Sequence, residues 1–323
     1  MTLPLRSNTF FAGFLIAFIG AVLFSTKAII VKLAFAGVHA DPLSLLALRM
    51  LFSLPFYLVA AFMVSSKKEN RRMNQKEWFY TILLGLFGYY LSSLFDFIGL
   101  QYISAGLERL ILFLYPSFAV LIGAFVFKEQ IHRNQLIALV LTYIGIGIAY
   151  VGELNIDSNN SNFSKGALLI FLCSITYAIF IAGSGKMVKK TGATKFTAYA
   201  MLSSTSGVLI HYLVAVKLTT SDQADHASGI HQLHDLWTYG LLLALIATVI
   251  PTFMISFAMK KIGASNVAII SSIGPVSTIL QAHYFLGEPI FTSQIIGTCL
   301  VLCGVLLLSA GKKTGVTVTS NST

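Results

Sequence analysis

Six charged side chains interrupt apolar runs of membrane-spanning length: Lys27, Lys32, Arg49, Asp96, Glu108 and Arg109. A charge in the core of a bilayer costs about 2.5–3.5 kcal/mol even on a lenient insertion scale, so each needs a partner or a task. Counted along helices, all six fall roughly 5–15 Å below one membrane surface, which predicts a single polar region. Asp96 and Glu108 are the candidates for taking up and releasing protons. The cationic excess around them would draw in a solute that carries a carboxylate. An unpaired carboxylate at that depth would be neutralised or expelled, so Asp96 or Glu108 is expected to contact Lys27, Arg49 or Arg109 on another helix. The competing reading is a salt-bridge network that only holds helices together. Neighbouring residues on a helix point about 100° apart. Glu108, on a face with Leu112 and Tyr115, and Arg109, on a face with Phe113 and Pro116, therefore look toward different neighbours. One should face a cavity and the other packing, and the sequence leaves open which. Asp96 shares a polar stripe with Ser92 and Ser93.

Neutral polar residues extend the candidate site. Ser271, Gly274, Pro275, Thr278 and Gln281 fall on one helix face, Thr248, Pro251 and Thr252 on another, and Tyr115 and Tyr177 offer aromatic surface. Such faces either line a polar cavity or let helices pack closely. Other signals are weak. Cys173, Cys299 and Cys303 lie inside apolar runs without metal-ligand spacing and read as small apolar packing residues. Gly183-Ser-Gly-Lys186 lacks the spacing of a phosphate loop. His226, His231 and His234 read as a solvated loop, and Asn159 and Asn162 begin glycosylation sequons that matter only in a eukaryotic secretory pathway. No cofactor and no metal is expected.

The chain that carries these residues has 323 of them, 56% hydrophobic and only 11% charged, which excludes a soluble globular domain. A mean hydropathy of +0.80 points the same way. Ten spans are predicted: 10–35, 43–64, 78–101, 105–127, 135–152, 166–184, 196–216, 236–259, 265–286 and 292–310. The first is too long for a secretory signal and is expected to be retained. Of the basic residues between spans, 16 fall in alternate segments that would be cytoplasmic and two, Lys165 and Lys217, in the others. The net charge of +10 thus sets topology, with both termini cytoplasmic, rather than binding nucleic acid.

Sliding the sequence by 159 positions aligns residues 101–152 with 260–311 without a gap, and pairs Ala105 with Ala264, Pro116 with Pro275, Glu129 with Glu288, Gln135 with Gln294, Gly145 with Gly304 and Gly152 with Gly311. This is an internal repeat. The predicted fold is an all-α membrane protein of ten transmembrane helices in two inverted five-helix repeats, residues 1–155 and 156–311, with a cytoplasmic tail at 312–323. Pro116 and Pro275 are candidate hinges, because a mid-helix proline frees a carbonyl at membrane depth; the alternative is a kink that only shapes packing. The charges do not repeat: Asp96 aligns with Ile255, Glu108 with Val267 and Arg109 with Ala268.

The two repeat ends, Ile103-Ser-Ala-Gly with Tyr115-Pro116 and Phe127-Lys-Glu129, and Ile262-Gly-Ala-Ser with Gly274-Pro275 and Leu286-Gly-Glu288, resemble the EamA-type branch of the drug/metabolite transporter superfamily. The resemblance covers residues 11–311 and implies a central cavity lined by helices of both halves. Phe24-Ser-Thr-Lys-Ala28 and residues 106–113 are more charged than is usual there. The expected function is secondary transport, in the export direction, of small organic metabolites such as amino-acid-like solutes. It would proceed by alternating access, with protons as a candidate coupling ion, in a monomer or homodimer in the bilayer of a bacterial inner membrane. The alternative class is a non-transporting membrane sensor or an intramembrane enzyme using Asp96 and Glu108.

Overall fold

The computed structural model describes residues 7–66, 72–128, 131, 133–156, 160–219 and 229–311. Arg6, Lys67, Lys68, Arg71, Glu129, Asn159, His226 and the tail 312–323 lie outside the described residues, as do the side chains of Lys186, Lys189, His231 and His234. Every regular element among the described residues is a helix. In chain order they are α1 (Ser7–Val38), α2 (Pro42–Ser65), α3 (Gln75–Gly85), α4 (Ser92–Gly99), α5 (Ala105–Leu112), α6 (Tyr115–Phe127), α7 (Arg133–Ile156) and α8 (Phe163–Thr191). There follow α9 (Ala193–Thr219), α10 (Gly229–Ala244), α11 (Ile250–Ile262), α12 (Ala264–Ser271), α13 (Gly274–Gln281) and α14 (Thr292–Gly311).

Eight stretches among the described residues are long and apolar enough to cross a membrane, and they coincide with the first eight predicted spans. The tenth is the shorter apolar helix Thr292–Leu307. The ninth, expected as one run over 265–286, is divided: α12 stops at Ser271 and α13 starts at Gly274. Pro275 explains the division. It has no N–H to donate, and its ring collides with the carbonyl four residues back, at Ser271. Pro116 acts alike, since α5 stops at Leu112, again four residues before the proline.

Two wider, π-helical turns bend the third and eighth spans, at Leu86–Leu91 between α3 and α4 and at Leu245–Val249 between α10 and α11. Each inserts a residue into the helical ladder, a feature common at functional sites. Pro251 follows the second; at the first, the Ser92 hydroxyl donates instead to the Gly88 carbonyl. A third such turn, Ala282–Leu286, leads to a left-handed helix end at Gly287, φ 69°, and α6 ends in the same conformation at Lys128, φ 56°. The proline breaks, the first two π-helical turns and the left-handed ends all recur at the 159-residue spacing.

Caps fix where helices begin. Asp41 accepts from the Ser44 amide ahead of Pro42, Asn74 and Glu77 cap each other's backbone, and Ser104 accepts from the Leu107 amide. The dominant packing joins early helices to late ones: α1 lies on α11 and α13, α2 on α9, α4 on α8 and α7 on α14. The α7–α14 contact is a glycine seam. A Cβ at Gly145 would stand 2.8 Å from the Gly297 carbonyl, and one at Gly304 would stand 2.8 Å from the Ala138 carbonyl.

Candidate functional site

Lys27 on α1 reaches two carboxylates on other helices, with Nζ 2.6 Å from Asp96 Oδ2 on α4 and 3.2 Å from Glu108 Oε1 on α5. Asp96 and Glu108 are 2% and 0% exposed. Each keeps one oxygen, Asp96 Oδ1 and Glu108 Oε2, buried without a hydrogen-bond partner among the described residues. One ammonium therefore serves two carboxyl groups, which themselves stand close enough to share a hydrogen bond.

Two guanidinium groups sit in the same part of the bundle without a carboxylate within salt-bridge distance among the described residues. Arg49 on α2, 8% exposed, donates Nε to Thr248 Oγ1 at 2.9 Å and Nη1 to Ser93 Oγ at 3.4 Å. Its guanidinium carbon lies 5.6 Å from the centre of the Phe97 ring. The π-helical turn positions Thr248 for this: its hydroxyl donates five residues back to Leu243 O at 2.8 Å and remains free to accept from Arg49. Arg109 on α5 is half-buried, 5.5 Å from the Phe113 ring centre, and its Nε is buried without a partner among the described residues. Its guanidinium reaches the seam with α13, where a Cβ on Gly274 would fall 2.8 Å from Nη2.

Aromatic rings close one side. Tyr115 meets Tyr177 edge-on with centroids 5.0 Å apart, Tyr177 stacks on Phe180 at 5.8 Å, and Phe180 meets Tyr89 at 4.8 Å. Gln281 on α13 donates to Ser277 Oγ at 2.9 Å and to Val22 O of α1 at 3.3 Å. Its Oε1 and the Thr278 hydroxyl are buried without partners among the described residues. Thr252 donates to Thr248 O at 2.5 Å, and Ser271 is half-buried where α12 ends beside Pro275. Ser25 links α1 to the same break by donating to Gly274 O at 3.3 Å.

The expectation of one region holding six charges needs correction. Lys32 belongs to a second cluster, where its Nζ donates to Ile103 O at 2.7 Å and pairs with Glu288 Oε1 at 3.1 Å. A shared depth band does not fix direction: Lys32 is five residues from Lys27 on α1, which turns it about 140° around the axis and moves it about 7.5 Å along it, so the two ammonium groups look to different neighbours. Cys299 and Cys303 also differ from expectation, since both are exposed on the outside of the bundle, where an apolar thiol faces lipid without cost; Cys173 alone is buried.

The second cluster joins Glu288 and Gln294, which the repeat spacing marked, to residues that spacing did not single out. Glu153 accepts from Ser104 N and Oγ at 3.1 and 2.8 Å and from Gln294 Nε2 at 2.9 Å. Glu288 accepts from the Ala105 amide, so a carboxylate caps the start of α5. Lys32, Ser104, Glu153, Asn160 and Glu288 border a cavity of about 360 Å³ at this end of the bundle. The repeated pairs Gln135/Gln294 and Glu129/Glu288 were the available signal, because polar residues kept at a fixed repeat spacing mark places where the helices need them.

Membrane helices gathered around a buried cluster of unlike charges make an integral membrane protein equipped to pass polar solutes. The chain belongs to the EamA-like transporter family, whose model matches residues 11–151 and 164–310. The uncharacterized transporter YcbK of Bacillus subtilis is 30% identical over 288 residues, 88% of this chain and 89% of that one. A Salmonella typhimurium protein named "Probable amino-acid metabolite efflux pump" is 26% identical over 205 residues, covering 63% of this chain and 67% of its own. A solved crystal structure of a protein 17% identical aligns over 93% of this chain and 97% of the other with a TM-score of 0.59, a likeness of fold.

Proposed function

We propose that this transporter is a secondary active exporter of small organic metabolites, amino-acid-like solutes among them, working by alternating access and coupled to protons. The observation that carries the reading is the Lys27 ammonium shared between Asp96 and Glu108, each of which keeps one buried oxygen that no donor among the described residues reaches. A proton taken by either carboxylate removes one of the two negative charges that hold Lys27. The contacts between α1, α4 and α5 are then weakened, and a charge balance involving three cations and two carboxylates is altered at the place where a charged solute would sit. Proton entry and solute exit thereby act on one set of contacts.

The architecture suited to this is ten helices in two inverted halves, 1–155 and 156–311, which would give two nearly equivalent conformations. It is supported by the recurrence of helix breaks, π-helical turns and left-handed ends at the 159-residue spacing, and by the two matched family stretches. Pro116 and Pro275 are the hinges of this scheme, and Tyr115, Tyr177, Thr248, Thr252, Ser271, Thr278 and Gln281 line the path. The basic residues between spans favour cytoplasmic termini in a bacterial inner membrane.

Purified protein in sealed vesicles tests the reading. Solute movement is expected to follow an imposed pH gradient, and Asp96→Asn or Glu108→Gln is expected to flatten its pH dependence. If both variants kept the wild-type pH profile, coupling through these carboxylates would be abandoned and the cluster would be a structural tie.

A further inference from the structure

We infer that Arg109 is the anchor for a substrate carboxylate, and that the transported class is monocarboxylates with an apolar or aromatic body; the inference rests on the carrier reading above. The two buried carboxylates of the central cluster are both committed to Lys27. The two arginines are left with neutral partners or none, and they are not equivalent. Arg49 is already fixed by Thr248 and Ser93. The Arg109 side chain makes no hydrogen bond and no ion pair among the described residues, and its Nε is shut away from solvent with nothing there to donate to.

A guanidinium in that condition at membrane depth is a standing cost, and the group that relieves it best is a carboxylate, which matches its planar fork with two parallel hydrogen bonds. The position suits a ligand. Arg109 projects from α5 onto Gly274, the first residue of α13, and the absence of a side chain there leaves its guanidinium its place. Phe113 lies under the guanidinium, and Tyr115, whose ring is 6.1 Å from that of Phe113, begins the aromatic run to Tyr177 and Phe180. A carboxylate on Arg109 would therefore leave the rest of the molecule against rings. It would also tie a helix before the middle of the chain to one after it, so that an occupied and an empty carrier differ in how α5 and α13 are held together.

The test uses the full chain in sealed vesicles and a panel of acids paired with their amides: 3-phenylpropionate, 4-methylpentanoate, L-phenylalanine and L-leucine. The wild type is expected to favour each acid over its amide by about 10–100-fold in KM, the value of a charge-assisted hydrogen bond pair. Arg109→Gln should erase that preference and Arg109→Lys should restore part of it. Should Arg109→Gln fail to fold, Gly274→Ala crowds Nη2 while keeping the arginine, and is expected to raise KM for the acids by more than it lowers kcat. Acid preference persisting in Arg109→Gln, or an unchanged KM in Gly274→Ala, would overturn the anchor. A wild type that moves amides as readily as acids would overturn it too while leaving the carrier standing. Folded wild type that moves no solute would sink the carrier reading, and the anchor with it.

Discussion

Lys27, Asp96 and Glu108 hold the early helices together by charge, whereas the residues that align with the two acids, Ile255 and Val267, sit in one apolar cluster with Ala17, Ala258 and Ile262. The backbone around the two regions is alike, with a π-helical turn before each and a proline break after each. Ordinary apolar packing thus fills that geometry on one side, and the charges on the other are an addition that the backbone does not require. A buried ion cluster contributes little net stability over an apolar one of similar volume, because desolvation offsets the attraction. That makes it a better candidate for function than for architecture.

The largest expected effect comes from breaking the cluster without replacing it. Lys27→Met leaves two buried carboxylates without their counter-ion, and removal of one partner from a buried pair costs about 3–5 kcal/mol. Thermal unfolding in detergent should show a large loss, and yield should fall. The triple variant Lys27→Leu, Asp96→Ile, Glu108→Val instead copies the apolar arrangement. It should recover most of that stability while transport is abolished. A triple variant as unstable as Lys27→Met would show that the charges are structural, and the contrast between the two regions would collapse.

The prolines come next. Pro116→Ala and Pro275→Ala each restore the donor and remove the ring that divides α5 from α6 and α12 from α13. Insertion and yield should be close to wild type, because a continuous helix is at least as stable in lipid. Turnover in vesicles should fall on the order of tenfold, equivalent to about 1.4 kcal/mol on the limiting barrier. Normal turnover in both would reduce the breaks to packing devices.

Hydropathy made the first eight spans legible, because length and apolar content are what a bilayer demands. It could not show that the ninth stops at Ser271, since a helix and a broken helix of the same residues have the same hydropathy; only Pro275 carried that information. The approach of Lys27 to Asp96 and Glu108 was legible as a cost that needed a partner. The turn of about 140° between Lys27 and Lys32 follows from their spacing, but which neighbours each then reaches does not, because that depends on how α1 is rotated against α5. Glu153 escaped for a related reason: it lies at the predicted end of a span, where a carboxylate is unremarkable until Ser104 and Gln294 are found beside it.

A third test, read in stability alone, asks whether the two regions share their scaffold as closely as their sequences suggest. Gly145 and Gly304 are one repeat pair, and each meets a backbone carbonyl across the α7–α14 seam at 2.8 Å from where a Cβ would be. A carbonyl cannot turn aside as a flexible side chain can, so alanine at either position must push the helices apart, at a cost of about 1–3 kcal/mol. Gly147 lies on the same helix with nothing within 4 Å of its missing Cβ, and alanine there should be neutral or should stabilise by roughly 0.5–1 kcal/mol, as in an open helix interior. Thermal unfolding of Gly145→Ala, Gly304→Ala and Gly147→Ala in one detergent makes the comparison direct. Equal losses at 145 and 304, with none at 147, would mean that the seam is built twice from one pattern. A loss at only one of the paired glycines would mean that the late helices have diverged in their packing as well as in their charges.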